Sequence, residues 1–129
     1  GRMFIAETST GSEVRSIENP NFATDVYSAQ DTQNYRNFLR SQNLTARTII
    51  PSDTNTDIIE KWFATSAEDG IEYRLVSTHS YPIDAAFATN GKQVFIVNYQ
   101  PVISAVLITN DAIAQTYVTT HQMIWDRYR

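Results

Sequence analysis

The sequence predicts an α/β domain in which a mixed β-sheet is flanked by helices. Three observations carry this. Runs rich in β-branched residues alternate with segments of helical period through the first half of the chain. Asn90-Gly91 then stands between two apolar runs, which is the strongest short-range signal for a hairpin and so for an antiparallel part of the sheet. From Asn110 onward, Ile113, Tyr117, Ile124, Trp125 and Tyr128 hold helical spacing, the mark of a final helix packed on that sheet. With 129 residues, 42% of them apolar and 19% charged, residues 1–129 read as one domain around one core.

Taken in order, Phe4 to Thr8 reads as a short strand ended by the turn cluster Ser9 to Ser12. Residues 13–25 contain Asn19-Pro20-Asn21 and no sustained period, so they read as a connection with room for a short strand at Val14 to Ile17. Ser28 and Asp31 resemble a capping box, and Tyr35, Phe38 and Leu39 follow at helical spacing. A helix over 29–42 is predicted, stopped by Asn43 in the left-handed region. Ala46 to Ile50 is a strand closed by Pro51-Ser52-Asp53. Asn55 or Thr56 caps a helix whose stripe is Ile58, Ile59, Trp62 and Phe63 and which Gly70 terminates. Ile71 to Val76 is a strand, and 77–82 a polar connection. Ile83 to Thr89 and Lys92 to Asn98 form the hairpin about a type I′ turn at Asn90-Gly91. Pro101 breaks the chain, Val102 to Thr109 is an apolar strand expected to be buried on both faces, and Asn110 caps the last helix. Between five and seven strands are expected.

The balance of ten basic against fourteen acidic side chains argues against a broad phosphate-neutralising surface, so no direct nucleic-acid contact is expected. There is no cysteine, which is compatible with a reducing, cytoplasmic setting. The longest apolar runs fall far short of the roughly twenty residues that span a bilayer, and no membrane partner is expected. Gly1 and Arg2 read as remnants, and the chain as a piece excised from a longer protein.

Chemistry has few bearers here. The two histidines are His79 and His121, widely separated and without cysteine partners, so no metal site and no cofactor is expected. His121, between Tyr117 and Ile124, reads as a satisfied core histidine. Trp62, Phe63 and Trp125 read as core, while Tyr73, Tyr81 and Tyr99 could wall a pocket. The segment 8–12 has a single glycine and lacks a phosphate-loop fingerprint. His79 lies in a polar connection after a strand, close in sequence to Arg74, Tyr81 and Asp84, a setting in which a rigid scaffold often places functional groups. Arg74, His79, Asp84 and Asn98 are therefore the candidate ligand-binding set, with no catalytic residue assigned.

From Tyr35 onward the chain resembles the C-terminal effector domain of TrmB-like transcriptional regulators, which has a phospholipase-D-like fold. The likeness rests on Tyr35 to Leu39 leading into Ala46 to Pro51, on Glu72 to Val76, and above all on Asn90 to Ile96. Ala105 to Asn110, Ile113 to Thr116 and Trp125 complete it. Enzymes of that fold carry a His-x-Lys-x4-Asp motif, and with Asn90 at the aspartate the other two positions hold Ile83 and Ala85. A frame beginning at His79 places Tyr81 and Ala86 at the lysine and the aspartate. The resemblance thus implies a single phospholipase-D-like sensor domain without phosphodiesterase chemistry. Such a domain would bind a small-molecule effector and form a homodimer, with DNA binding left to a separate winged helix. The rival expectations are a phosphodiesterase-like hydrolase using His79, and a protein-interaction module without a ligand.

Overall fold

The computed structural model describes residues 13–23, 29–63, 70–77, 83–99 and 101–128. The strand expected at Phe4 to Thr8, together with His79, Tyr81 and the side chains of Trp62 and Phe63, lies outside the described residues. Among the described residues six strands form one mixed sheet in the order β3-β2-β1-β4-β5-β6, an α/β arrangement with helices against it. The strands are β1 (Glu13–Ile17), β2 (Thr45–Pro51), β3 (Ile71–Val76), β4 (Ala86–Thr89), β5 (Gln93–Asn98) and β6 (Ser104–Thr109). The helices are α1 (Pro20–Ala23), α2 (Ala29–Ser41), α3 (Thr56–Phe63) and α4 (Asp111–Arg127).

The sheet has two halves. β1, β2 and β3 are parallel and are joined through helices, as parallel neighbours require. β4, β5 and β6 run antiparallel to one another, and β4 is antiparallel to β1. The chain therefore builds outward from β1 to β3, crosses back, and continues on the other side of β1. Strand order reverses between β1 and β4.

Pairing register assigns the faces, because successive side chains point to opposite sides. Arg15 pairs with Arg47, Ile17 with Ile49, Ile49 with Arg74 and Ile17 with Phe87, so these side chains share the face that α4 covers. Val14, Ala46 and Ile71 point the other way. There Ala46 and Ile71 pack with Leu39 and Leu44, and Phe38 joins them. On the α4 side Ile49, Val76 and Trp125 form the core with Ile17, Ile124 and Tyr128. Each fully buried aliphatic or aromatic side chain contributes about 1.5–3 kcal/mol of transfer free energy, so both faces hold the sheet.

Local chemistry sets the element ends. Asn43 takes φ of 53°, Leu44 N–H donates to the Leu39 carbonyl and Asn43 N–H to that of Arg40. This is a Schellman stop, and the buried Leu39–Leu44 pair is its usual apolar contact. Asn110 Oδ1 accepts from Ile113 N–H at 3.0 Å and caps α4. The hairpin lies where expected, but its turn differs. Asn90 N–H donates to the Gln93 carbonyl, so the central residues are Gly91 and Lys92, and of these only Gly91 has positive φ, at 88°. That is the type II′ pattern rather than I′. Asn90 instead caps the turn, its Oδ1 accepting from Lys92 and Gln93 N–H.

The short strand allowed for at Val14 to Ile17 is present as β1, and both halves of the sheet meet on it. One further expectation is corrected. The strand expected to be buried on both faces, β6, lies at the edge of the sheet among the described residues, with Val106 56% and Leu107 38% exposed. An apolar run reports that a strand can be buried. It does not report that a neighbour exists.

Candidate functional site

In open α/β sheets ligands favour the carboxyl ends of parallel strands, at the point where strand order reverses. Here that point is the end of β1. The chain leaves it through Glu18, whose N–H donates to the Ile49 carbonyl at 3.0 Å, and reaches Asn19 and Pro20. Asn19 Nδ2 donates to the Ile83 carbonyl at 2.9 Å, tying the end of β1 to the segment before β4. Asn19 Oδ1 accepts from Asn21 N–H, and Asn21 Oδ1 accepts from Asn55 N–H across to the turn after β2. Three asparagines thus stitch the rim of this end.

Glu18 is half-buried. Its carboxyl is crowded by protein, and the lost solvation raises its pKa, while the Ser16 hydroxyl draws it back down. Ser16 Oγ lies 3.3 Å from Glu18 Oε1 and 3.1 Å from Thr48 Oγ1. A hydroxyl carries one proton, so both contacts are satisfied when Thr48 donates to Ser16 and Ser16 to Glu18. The result is a line of polar groups from the middle of the sheet to its end. On α2, the Tyr35 phenol is also raised, first by burial and then by the Glu18 charge, although the residue as a whole keeps 37% of its surface exposed. On the segments 18–21, 52–55 and 83–85 the charged residues are Glu18, Asp53 and Asp84, all acidic.

A depression of about 260 Å³ lies at the opposite end of the parallel half, lined by Glu13, Thr45, Ala46, Arg47, Gly70, Ile71 and Glu72. Arg47 Nε sits 2.8 Å from Glu13 Oε1, and Arg15 also approaches Glu13. These charges are spent on one another, and amino ends are not where such sheets bind.

Under α4 the sheet presents Arg15, Arg47 and Arg74 from three adjacent strands. His121 is fully buried, with Nδ1 3.2 Å from Arg15 Nη1 and Nε2 3.1 Å from the Ser16 carbonyl. A guanidinium only donates, so Nδ1 accepts and Nε2 carries the proton. Burial first, then the Arg15 charge, lowers the His121 pKa to about 4. Arg74 lies 4.0 Å over the Trp125 ring and donates to the Trp125 carbonyl; Arg47 lies 5.6 Å from the same ring. His121 stacks on Trp125, with centroids 5.8 Å apart. This cluster clamps the helix to the sheet.

The expected binding set is divided by this geometry. Arg74 is committed to α4 on an edge strand. Asp84, exposed, lies just before β4, beside the Asn98 end of β5, since Ala86 pairs with Val97. Asp84 and Asn98 thus share the sheet end with Glu18, while three strands separate Arg74's strand from that of Asn98. His79 lies outside the described residues. Glu18 was missed by sequence reasoning. The available signal was an acid directly after Val14-Arg15-Ser16-Ile17 and before Asn-Pro, obscured because that stretch is too polar to read as a central strand.

Among the described residues there is no group of three or more His, Cys, Asp and Glu side chains placed to hold a metal, and no helix long and apolar enough to cross a membrane. Comparison of the chain with protein-family models, curated proteins and solved structures gives no match.

Proposed function

We propose that this chain is a non-catalytic ligand-sensing domain of a transcriptional regulator, of phospholipase-D-like type, that binds a neutral or cationic small molecule at the carboxyl end of β1. The observation that carries the reading is Glu18. It sits where strand order reverses, at the end of a hydroxyl chain and at a cost in solvation. An ionisable group that loses solvation at the end of a sheet is a candidate for a binding role. The acidic rim made with Asp53 and Asp84 disfavours phosphate, which counts against a phosphodiesterase. Asn90, at the position an attacking enzyme of this fold would give to aspartate, has its side-chain oxygen engaged by the hairpin backbone.

The test is a thermal-shift screen of polyols, amines and phosphate esters on the whole chain, repeated with Glu18→Gln and Asp84→Ala. A neutral or cationic compound that raises Tm should bind the Glu18→Gln variant about tenfold or more weakly, as the loss of one charge-assisted hydrogen bond predicts. Stabilisation by phosphate esters alone, or by a compound indifferent to both changes, overturns the reading. Turnover of a chromogenic phosphodiester that disappears in His79→Ala would establish the hydrolase instead.

A further inference from the structure

The geometry points to the outer edge of β6 as the surface on which a second copy of this chain pairs, antiparallel about a two-fold axis at Val106. The inference does not depend on the ligand reading. Asn110 N–H donates to the Lys92 carbonyl, and the register pairs Gln93 with Thr109 through Asn98 with Ser104. In an antiparallel ladder hydrogen-bonded and non-bonded pairs alternate, so Ser104, Val106 and Ile108 bond to β5. The N–H and C=O groups of Ala105, Leu107 and Thr109 point to the open edge, where no strand among the described residues meets them.

Edge strands are ordinarily protected by lysine, inward charge, a bulge or a covering element. From Gln100 to Asn110 there is no charged residue, and α4 lies over β5, β1 and β4 rather than over β6. Val102 is 71%, Ile103 58% and Val106 56% exposed; Leu107, on the other face of the strand, is 38% and Ile113, in the first turn of α4, 41% exposed. A partner of strong charge has nothing to pair with here. The strand itself is the complement. With outward-pointing residues of one copy bonded to those of the other, the register centred on Val106 sets Ala105 against the partner copy's Leu107, a small side chain against a large one, twice over. Val106 then meets its own symmetry mate, Ser104 meets Ile108, and the exposed Ile103 meets Thr109. A two-fold axis perpendicular to the sheet keeps the two α4 helices on one face and makes one continuous twelve-stranded sheet, the self-complementary arrangement that cyclic dimers use.

The chain has no cysteine, so a single introduced thiol can form a disulfide only between copies. Facing residues of a non-hydrogen-bonded pair have Cβ atoms about 4.5–5.5 Å apart or closer, near disulfide reach. Val106→Cys should therefore cross-link to a covalent dimer under mild oxidation. Ser104→Cys, whose symmetry mate is displaced by four residues or about 13 Å, should not. By sedimentation the whole chain should be a dimer, and Val106→Lys, which sets two ammonium groups face to face in the interface, should weaken it about a hundredfold while keeping its circular dichroism. A wild-type monomer across the concentration series, a dimer indifferent to Val106→Lys, or cross-linking equal at positions 104 and 106 would each overturn the inference.

Discussion

The two edges of the sheet, β3 and β6, have opposite designs. β3 carries Glu72 and Arg74 on one face, and Arg74 is bound to the carbonyl and ring of Trp125, so the last helix reaches across and ties that edge down. β6 carries no charge and, among the described residues, no such strap. An edge that carries charge and is tied to a helix through a side chain is protected against pairing, whereas an uncharged edge of the same length without such a tie presents its backbone. The difference teaches that the clamp under α4 acts on one half of the sheet. It ties the parallel half to the helix through Arg15, Arg47 and Arg74, and among the described residues no arginine of the antiparallel half joins it.

The largest expected effect comes from removing the clamp's centre. Trp125→Ala takes away the ring that Ile49, Val76, Arg47 and Arg74 contact and should cost about 3–5 kcal/mol in urea denaturation. Amide exchange should accelerate in β3 more than in β6; equal acceleration at both edges would break the comparison. Next comes acidity. His121 has a folded pKa lowered from 6.5 to about 4, so the unfolded chain takes up a proton that the folded chain refuses. Its contribution is intact above pH 6.5 and is lost as pH falls toward 4, by on the order of 2–3 kcal/mol, and a His121→Gln variant should lack that slope. Glu18 works in the opposite sense. Its raised pKa favours the fold below pH 4.5, a gain lost as pH rises, so Glu18→Gln should be more stable than wild type at neutral pH and equal to it in acid.

A smaller loss is expected from Arg74→Ala, about 1–2 kcal/mol for one charge-assisted hydrogen bond and a cation–π contact. It sharpens the comparison if the variant also begins to self-associate through β3. The smallest effect belongs to Val106→Lys, within about 0.5 kcal/mol of wild type in unfolding of the dilute chain, because an exposed side chain loses no packing.

Much of the fold was legible locally. The Leu39 and Leu44 pair around Asn43, the Asn110 cap, and the β-branched strands 46–50 and 71–76 announce themselves through spacing and turn chemistry. The hairpin was placed correctly, but the positive φ falls on Gly91 alone. β1 was legible as a short strand at Val14 to Ile17, but its central place in the sheet was not, because Glu13, Arg15 and Ser16 acquire their partners, Arg47, His121 and Thr48, only from elements distant in the chain. Of the binding set, Asp84 and Asn98 reach the sheet end where Glu18 lies. Arg74 reads identically in sequence whether it faces a ligand or a tryptophan.

The amino-acid sequence by itself determined the kind and extent of most elements, since helical period, β-branching and capping act over a few residues. It also determined that the histidine and the tryptophan of the last helix belong inside. Only the tertiary structure decided strand order, and with it which apolar strand is left at an edge and which acid stands where the order turns. Those outcomes depend on which strand lies beside which, a long-range choice made by the crossover from β3 back to β4 and written in no single stretch of chain.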